Sequence, residues 1–95
     1  MVIVSQDKEE VVNFDNVESI WIDSDEEGRF SIEATADTNS TLGYYKTKER
    51  AKEVLIEIQT FYASSEMLKI PSVTPIKTVT GLELIEVFKY EMPKE

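Results

Sequence analysis

Ala51, Val54, Leu55, Ile58 and Tyr62 recur at i, i+3, i+4, i+7 and i+11, with Phe61 beside them, and no other feature constrains the fold as tightly. A repeat of this period puts the side chains on one stripe of an amphipathic helix, and that stripe must be buried against another element. Thr47 offers an N-cap hydroxyl, and Glu49 places negative charge near the positive helix end. The spacing therefore predicts one main helix over about 47–63. Lys48, Glu49, Lys52, Glu53 and Glu57 lie off the stripe. Ile56 lies off it too, as an isolated exposed apolar residue or a partner contact.

The segments before the helix supply something to pack on. Apolar runs at 2–4, 11–14 and 17–22 are separated by turn-forming residues. Ile20 and Ile22 share one face of the third run, and Val17, Ser19 and Trp21 share the other. Phe30, Ile32 and Ala34 alternate with Arg29, Ser31 and Glu33, the period-two signature of a half-buried strand. A further strand is expected at 41–46, after the turn-rich Asp37-Thr38-Asn39-Ser40. Residues 63–75, punctuated by Pro71 and Pro75, read as a connection. Residues 76–80 and 82–90 read as strands on either side of Gly81, although 82–88 also has the period of a short helix. The expectation is a single α+β domain over residues 1–95. It comprises an antiparallel sheet of five to six strands packed by one main helix.

Charge is distributed unevenly. The chain carries 19 acidic and 10 basic residues, net −9, and residues 1–37 hold eleven of the acids with only Lys8 and Arg29 against them. Such a surface repels phosphate backbones and anionic membranes, whose affinity comes from Lys and Arg, and attracts a basic protein. No direct nucleic-acid or membrane partner is expected. The absence of a basic, apolar leader and of any run near the roughly 20 residues needed to cross a bilayer gives a cytoplasmic expectation.

The chain has neither histidine nor cysteine. That excludes Ser–His and Cys–His nucleophiles and both usual zinc ligands. Gly28, Gly43 and Gly81 are isolated, so no phosphate-cradling glycine loop is present. Carboxylate-only hydrolysis remains chemically open, but nineteen acids form pairs by accident. The expectation is a binding protein, not an enzyme, with no cofactor.

Two constellations are candidates for that binding. Asp23-Ser24-Asp25-Glu26-Glu27-Gly28 partly matches a calcium loop, but the twelfth position is Ala34 in place of the bidentate Glu. It reads as a solvated hairpin turn, with a weak divalent-ion site as the lesser alternative. Asp23, Asp25, Glu26 and Glu27 are the expected contacts to a basic partner, and no metal is expected. Tyr44, Tyr45, Lys46 and Arg50 gather aromatic faces and positive charge at the helix start, where a small anion or nucleotide would fit. The plainer reading has Tyr44 in the core, Tyr45 on the surface and both cations solvated. Trp21 and Phe30 are expected in the core or an interface.

Three segments and the chain's terminal stretch carry a resemblance. They are Ile3-Val4-Ser5-Gln6-Asp7-Lys8, Val12-Asn13-Phe14-Asp15-Asn16-Val17, and Leu42-Gly43-Tyr44-Tyr45-Lys46-Thr47-Lys48-Glu49-Arg50-Ala51-Lys52-Glu53-Val54-Leu55, with residues 88–93. In these the chain resembles small, mostly uncharacterised acidic proteins of Gram-positive bacteria and their phages or mobile elements. The resemblance implies a strand-rich first half with a helix packed on it, and no catalytic residue. It suggests an inhibitor or adaptor in anti-defence. One such mechanism is an acidic surface that mimics DNA on a basic, nucleic-acid-binding effector, as anti-CRISPR proteins do. Another is sequestration of a nucleotide immune signal, and a third reading is a host accessory domain. The charge map favours the acidic surface. A homodimer is compatible with exposed strand edges and Ile56.

Overall fold

The computed structural model describes residues 1–68 and 89–95. β3 (Ser19–Ser24), β4 (Phe30–Thr35) and β5 (Asn39–Tyr45) form an antiparallel meander in the order β3-β4-β5. Its period-two pattern survives folding: Ile20 stands opposite Ala34 and Ile22 opposite Ile32. Helix α1 (Lys48–Leu68) packs on that face, and Ala51, Val54 and Ile58 of its stripe have no exposed surface. Burying each large aliphatic side chain contributes about 1.5–3 kcal/mol.

A second sheet has the order β2-β1-β6. β1 (Val2–Val4) pairs antiparallel with β2 (Val11–Asn13) and parallel with β6 (Lys89–Glu91). Ile3, Tyr90 and Met92 carry this sheet into the common core. Phe14 meets Tyr62 edge-on at 4.8 Å, and Phe61 meets Tyr90 at 5.7 Å, so α1 touches both sheets. The α+β class holds, but among the described residues the single antiparallel sheet of five to six strands is replaced by two three-stranded sheets, one of them mixed. The reason is local. A 3-10 turn at Phe14–Asn16 redirects the chain after β2, so β2 and β3 do not pair, and β1 takes β6 as its other neighbour.

The helix also runs past residue 63, where a connection was expected. Ser64 Oγ donates to Thr60 O at 3.1 Å and Ser65 Oγ to Tyr62 O at 2.8 Å. Hydroxyls that would end a helix by bonding elsewhere are spent on its own carbonyls. The expected strands at 76–80 and 82–88, and Gly81, lie outside the described residues. Lys89 and Tyr90, the end of the expected 82–90 strand, are in β6. Among the described residues no helix is long and apolar enough to cross a membrane.

One irregularity reverses an expectation. Ile32 pairs with Gly43 but Glu33 with Thr41, so Leu42 is an extra residue in β5. Strict alternation from Leu42 would bury Tyr44 and expose Tyr45. The bulge instead turns both Leu42 and Tyr45 inward, at 1% and 2% exposure, and leaves Tyr44 at 40%. Gly43 makes this possible, because a Cβ there would lie 3.0 Å from Tyr45 Oη and 3.2 Å from Gln6 Cβ. Gly43→Ala should cost about 1–3 kcal/mol by overpacking, read as a lowered urea midpoint at unchanged slope.

Candidate functional site

β5 ends at Tyr45, and Lys46 and Thr47 lead straight into α1. Thr47 Oγ1 accepts from Arg50 N at 3.1 Å, so it caps the helix as its position foretold. The segment 92–95 crosses this junction and is pinned by three donors. Tyr45 Oη donates to Pro93 O at 2.9 Å, Gln6 Nε2 to Lys94 O at 2.8 Å, and Arg50 Nε to Glu95 O at 2.9 Å. Between them lies a cleft of about 390 Å³.

All four residues singled out at the helix start, Tyr44, Tyr45, Lys46 and Arg50, line this cleft. Arg29 and Lys94 complete its cations, and Thr47 and Glu95 its remaining wall. The cleft thus collects four of the ten basic residues of a chain with net charge −9. Arg29 is stacked over the Tyr44 ring, 4.3 Å from its centroid. Arg50 Nη1 is 3.5 Å from Glu53 and 3.8 Å from Glu57. Among the described residues, the ammonium groups of Lys46 and Lys94 form no ion pair. Two uncommitted cations, two arginines and an exposed phenol ring make a receptive surface for an anion that carries a ring.

The acidic residues sit on the adjoining β3–β4 turn, and they are not equivalent. Asp25 is consumed by the turn itself. Its Oδ1 accepts from the backbone N–H groups of Arg29 (2.9 Å) and Glu27 (3.0 Å), and its Oδ2 from Arg29 Nε (2.8 Å). The Arg29 amide, then its guanidinium, hold the Asp25 carboxyl below the usual range, and Asp25 in return raises Arg29. Gly28 takes φ +82°, which favours glycine. Asp23, Glu26 and Glu27 remain exposed. No cluster of three or more carboxylates in reach of one ion occurs among the described residues.

Arg29, Lys94 and Gln6 had no local signal in the sequence as site residues. Arg29 reaches the cleft only because the hairpin returns it beside β5, where Ser31 stands opposite Tyr44. Lys94 arrives from the far end of the chain. Gln6 ties the strand end to the 93–94 segment: Tyr44 N donates to Gln6 Oε1 at 2.8 Å, and Gln6 Nε2 donates to Tyr44 O at 3.0 Å and to Pro93 O at 3.1 Å.

Two buried phenols flank the site. Burial, aided by the Glu57 carboxylate, pushes the Tyr90 hydroxyl up to about 12, and burial raises Tyr45 further. A raised phenol keeps its proton more tightly in the folded state. Its contribution is fully present below pH 10, the ordinary value, and is lost as pH rises through 12. The melting temperature should therefore fall steeply between pH 10 and 12. The tyrosinate absorbance of Tyr45 and Tyr90 should appear with unfolding, not before it. Compared with known proteins, the chain matches no family model, and no curated protein or solved structure is significantly similar to it.

Proposed function

We propose that the protein acts by binding, not catalysis, and that the cleft at the start of α1 takes a small anion bearing a planar ring, such as a nucleotide. The observation that carries this is the convergence of Lys46, Lys94, Arg29 and Arg50 with the Tyr44 ring in one cleft of an otherwise acidic chain. The uncommitted lysines supply charge for phosphates, and Tyr44 supplies a face for a base. Sequestration of a nucleotide signal fits this geometry better than the count of two arginines alone suggested. Thermal shift and calorimetry with pyrophosphate, mononucleotides and cyclic dinucleotides test it. A ligand at a hundred times its Kd should stabilise the fold by about 2.7 kcal/mol. No shift with any of these at low ionic strength overturns the reading.

A second reading concerns a basic protein partner. It is supported by Asp23, Glu26 and Glu27, which project from a hairpin tip that Asp25 braces from within. Binding through this tip should weaken steeply with salt. The two readings use neighbouring surfaces and do not exclude each other.

A further inference from the structure

β5 and β3 are the two edges of the meander, and the molecule treats them differently. The outward backbone groups at the Leu42–Tyr44 end of β5 are taken up by Gln6. Its N–H donates to Leu42 O at 2.8 Å, and its side-chain amide bonds both the N–H and the C=O of Tyr44. On β3, Asp25 N donates to Arg29 O at 3.1 Å, which fixes the phase of the ladder. Trp21 and Asp23 therefore turn their backbone groups to β4, and Ile20, Ile22 and Ser24 turn theirs outward. The Ser24 N–H is covered by Asp23 Oδ1 at 2.8 Å. The N–H and C=O groups of Ile20 and Ile22 have no partner among the described residues.

An open edge is ordinarily blunted by lysine, proline or a covering element. β3 contains no Lys, Arg or Pro. The side chains beside the open groups are acidic and aromatic. Trp21 is half-buried but lies outside the core cluster and outside the side chains packed on it. Its cross-strand neighbour is Glu33, whose carboxylate accepts from Thr41 Oγ1 at 2.8 Å, and Asp23 lies two residues along the same face. Ile20 and Ile22 present an aliphatic row on the opposite face, against the core.

The geometry points to β3 as a docking edge for an extended segment of a protein partner in which basic and aliphatic residues alternate. Such a segment adds a fourth strand to the meander. Its backbone pairs with Ile20 and Ile22. Its Lys or Arg side chains meet the Trp21 ring and the Asp23 and Glu33 carboxylates, and its aliphatic side chains extend the Ile20–Ile22 row. A second copy is a poor occupant, because pairing β3 with itself puts the Asp23 and Glu33 carboxylates of two chains on one continuous face with no cation in β3 or β4. The inference rests on the basic-partner reading of the acidic tip and adds the mode of attachment.

Trp21 is the only tryptophan, so its fluorescence reports on this edge directly. The probe is a blocked seven-residue peptide alternating lysine and valine, compared with the same peptide N-methylated at the amides that face β3. The unmethylated peptide should shift Trp21 emission, bind at least tenfold tighter than its methylated twin, and slow amide exchange at Ile20 and Ile22. Asp23→Lys, with folding checked by circular dichroism, should weaken it at least tenfold. Equal binding of the two peptides with unprotected Ile20 and Ile22 amides overturns strand addition while leaving the charged tip as a basic-partner site. No binding of either peptide overturns both. Protection of these amides by concentration-dependent dimers without peptide overturns the assignment of the occupant.

Discussion

Gln6→Ala should lower the stability of the fold by about 2–3 kcal/mol. For a domain of this size that is a fall in melting temperature of roughly 10–20 °C. The side chain accepts one hydrogen bond, and its two N–H groups are shared among three carbonyls, tying the 5–10 turn to β5 and to residues 93 and 94. Each net bond is worth about 1 kcal/mol. Tyr44 and Lys94 are exposed enough to recover water, which keeps the total below the sum of four. Gln6→Glu separates hydrogen bonding from packing, since it preserves shape but sets a carboxylate against the oxygens of Tyr44, Pro93 and Lys94. It should be at least as destabilising as Gln6→Ala at neutral pH. Urea denaturation of both variants measures this, and a glutamate variant as stable as the parent would refute the role given to the amide. Because Gln6 holds the backbones of two cleft residues, ligand affinity should fall with stability.

Reversing Lys46 and Lys94 together to glutamate should weaken binding of any anionic ligand of the cleft at least about 100-fold, equivalent to about 2.7 kcal/mol. Neither ammonium group is in an ion pair among the described residues, so the change removes no internal bond. It also introduces carboxylates that compete for Arg29 and Arg50. Stability should stay within about 1 kcal/mol of the parent, as for other exposed charges. Calorimetric titration beside a denaturation curve checks both halves. Retained affinity in the folded double variant would exclude the cleft as the anion site. Tyr44→Ala should instead discriminate among ligands, weakening those with a base and sparing pyrophosphate.

Much of the site was legible one stretch at a time. The cap at Thr47, the buried stripe of α1 and the four residues Tyr44, Tyr45, Lys46 and Arg50 sit within one continuous segment, so local spacing brings them together. The inside–outside order of the two tyrosines was not legible, because a bulge changes the phase of a strand without any marker except Gly43. The acidic tip was visible as a charge run. That Asp25 braces the tip, and so differs from Asp23, Glu26 and Glu27, required the geometry of the turn.

Local periodicity and capping, which act over a few residues, determined the helix and the β3–β4–β5 strands, and composition alone excluded imidazole and thiol chemistry. Tertiary structure alone decided that the strands divide into two sheets, that β6 runs parallel to β1, that Arg29 and Lys94 converge on one cleft, and that Gln6 ties its walls together. Those contacts join residues up to 88 positions apart. Their partners are set by which edges and cores are left to satisfy once the local elements exist, and no short-range pattern encodes that.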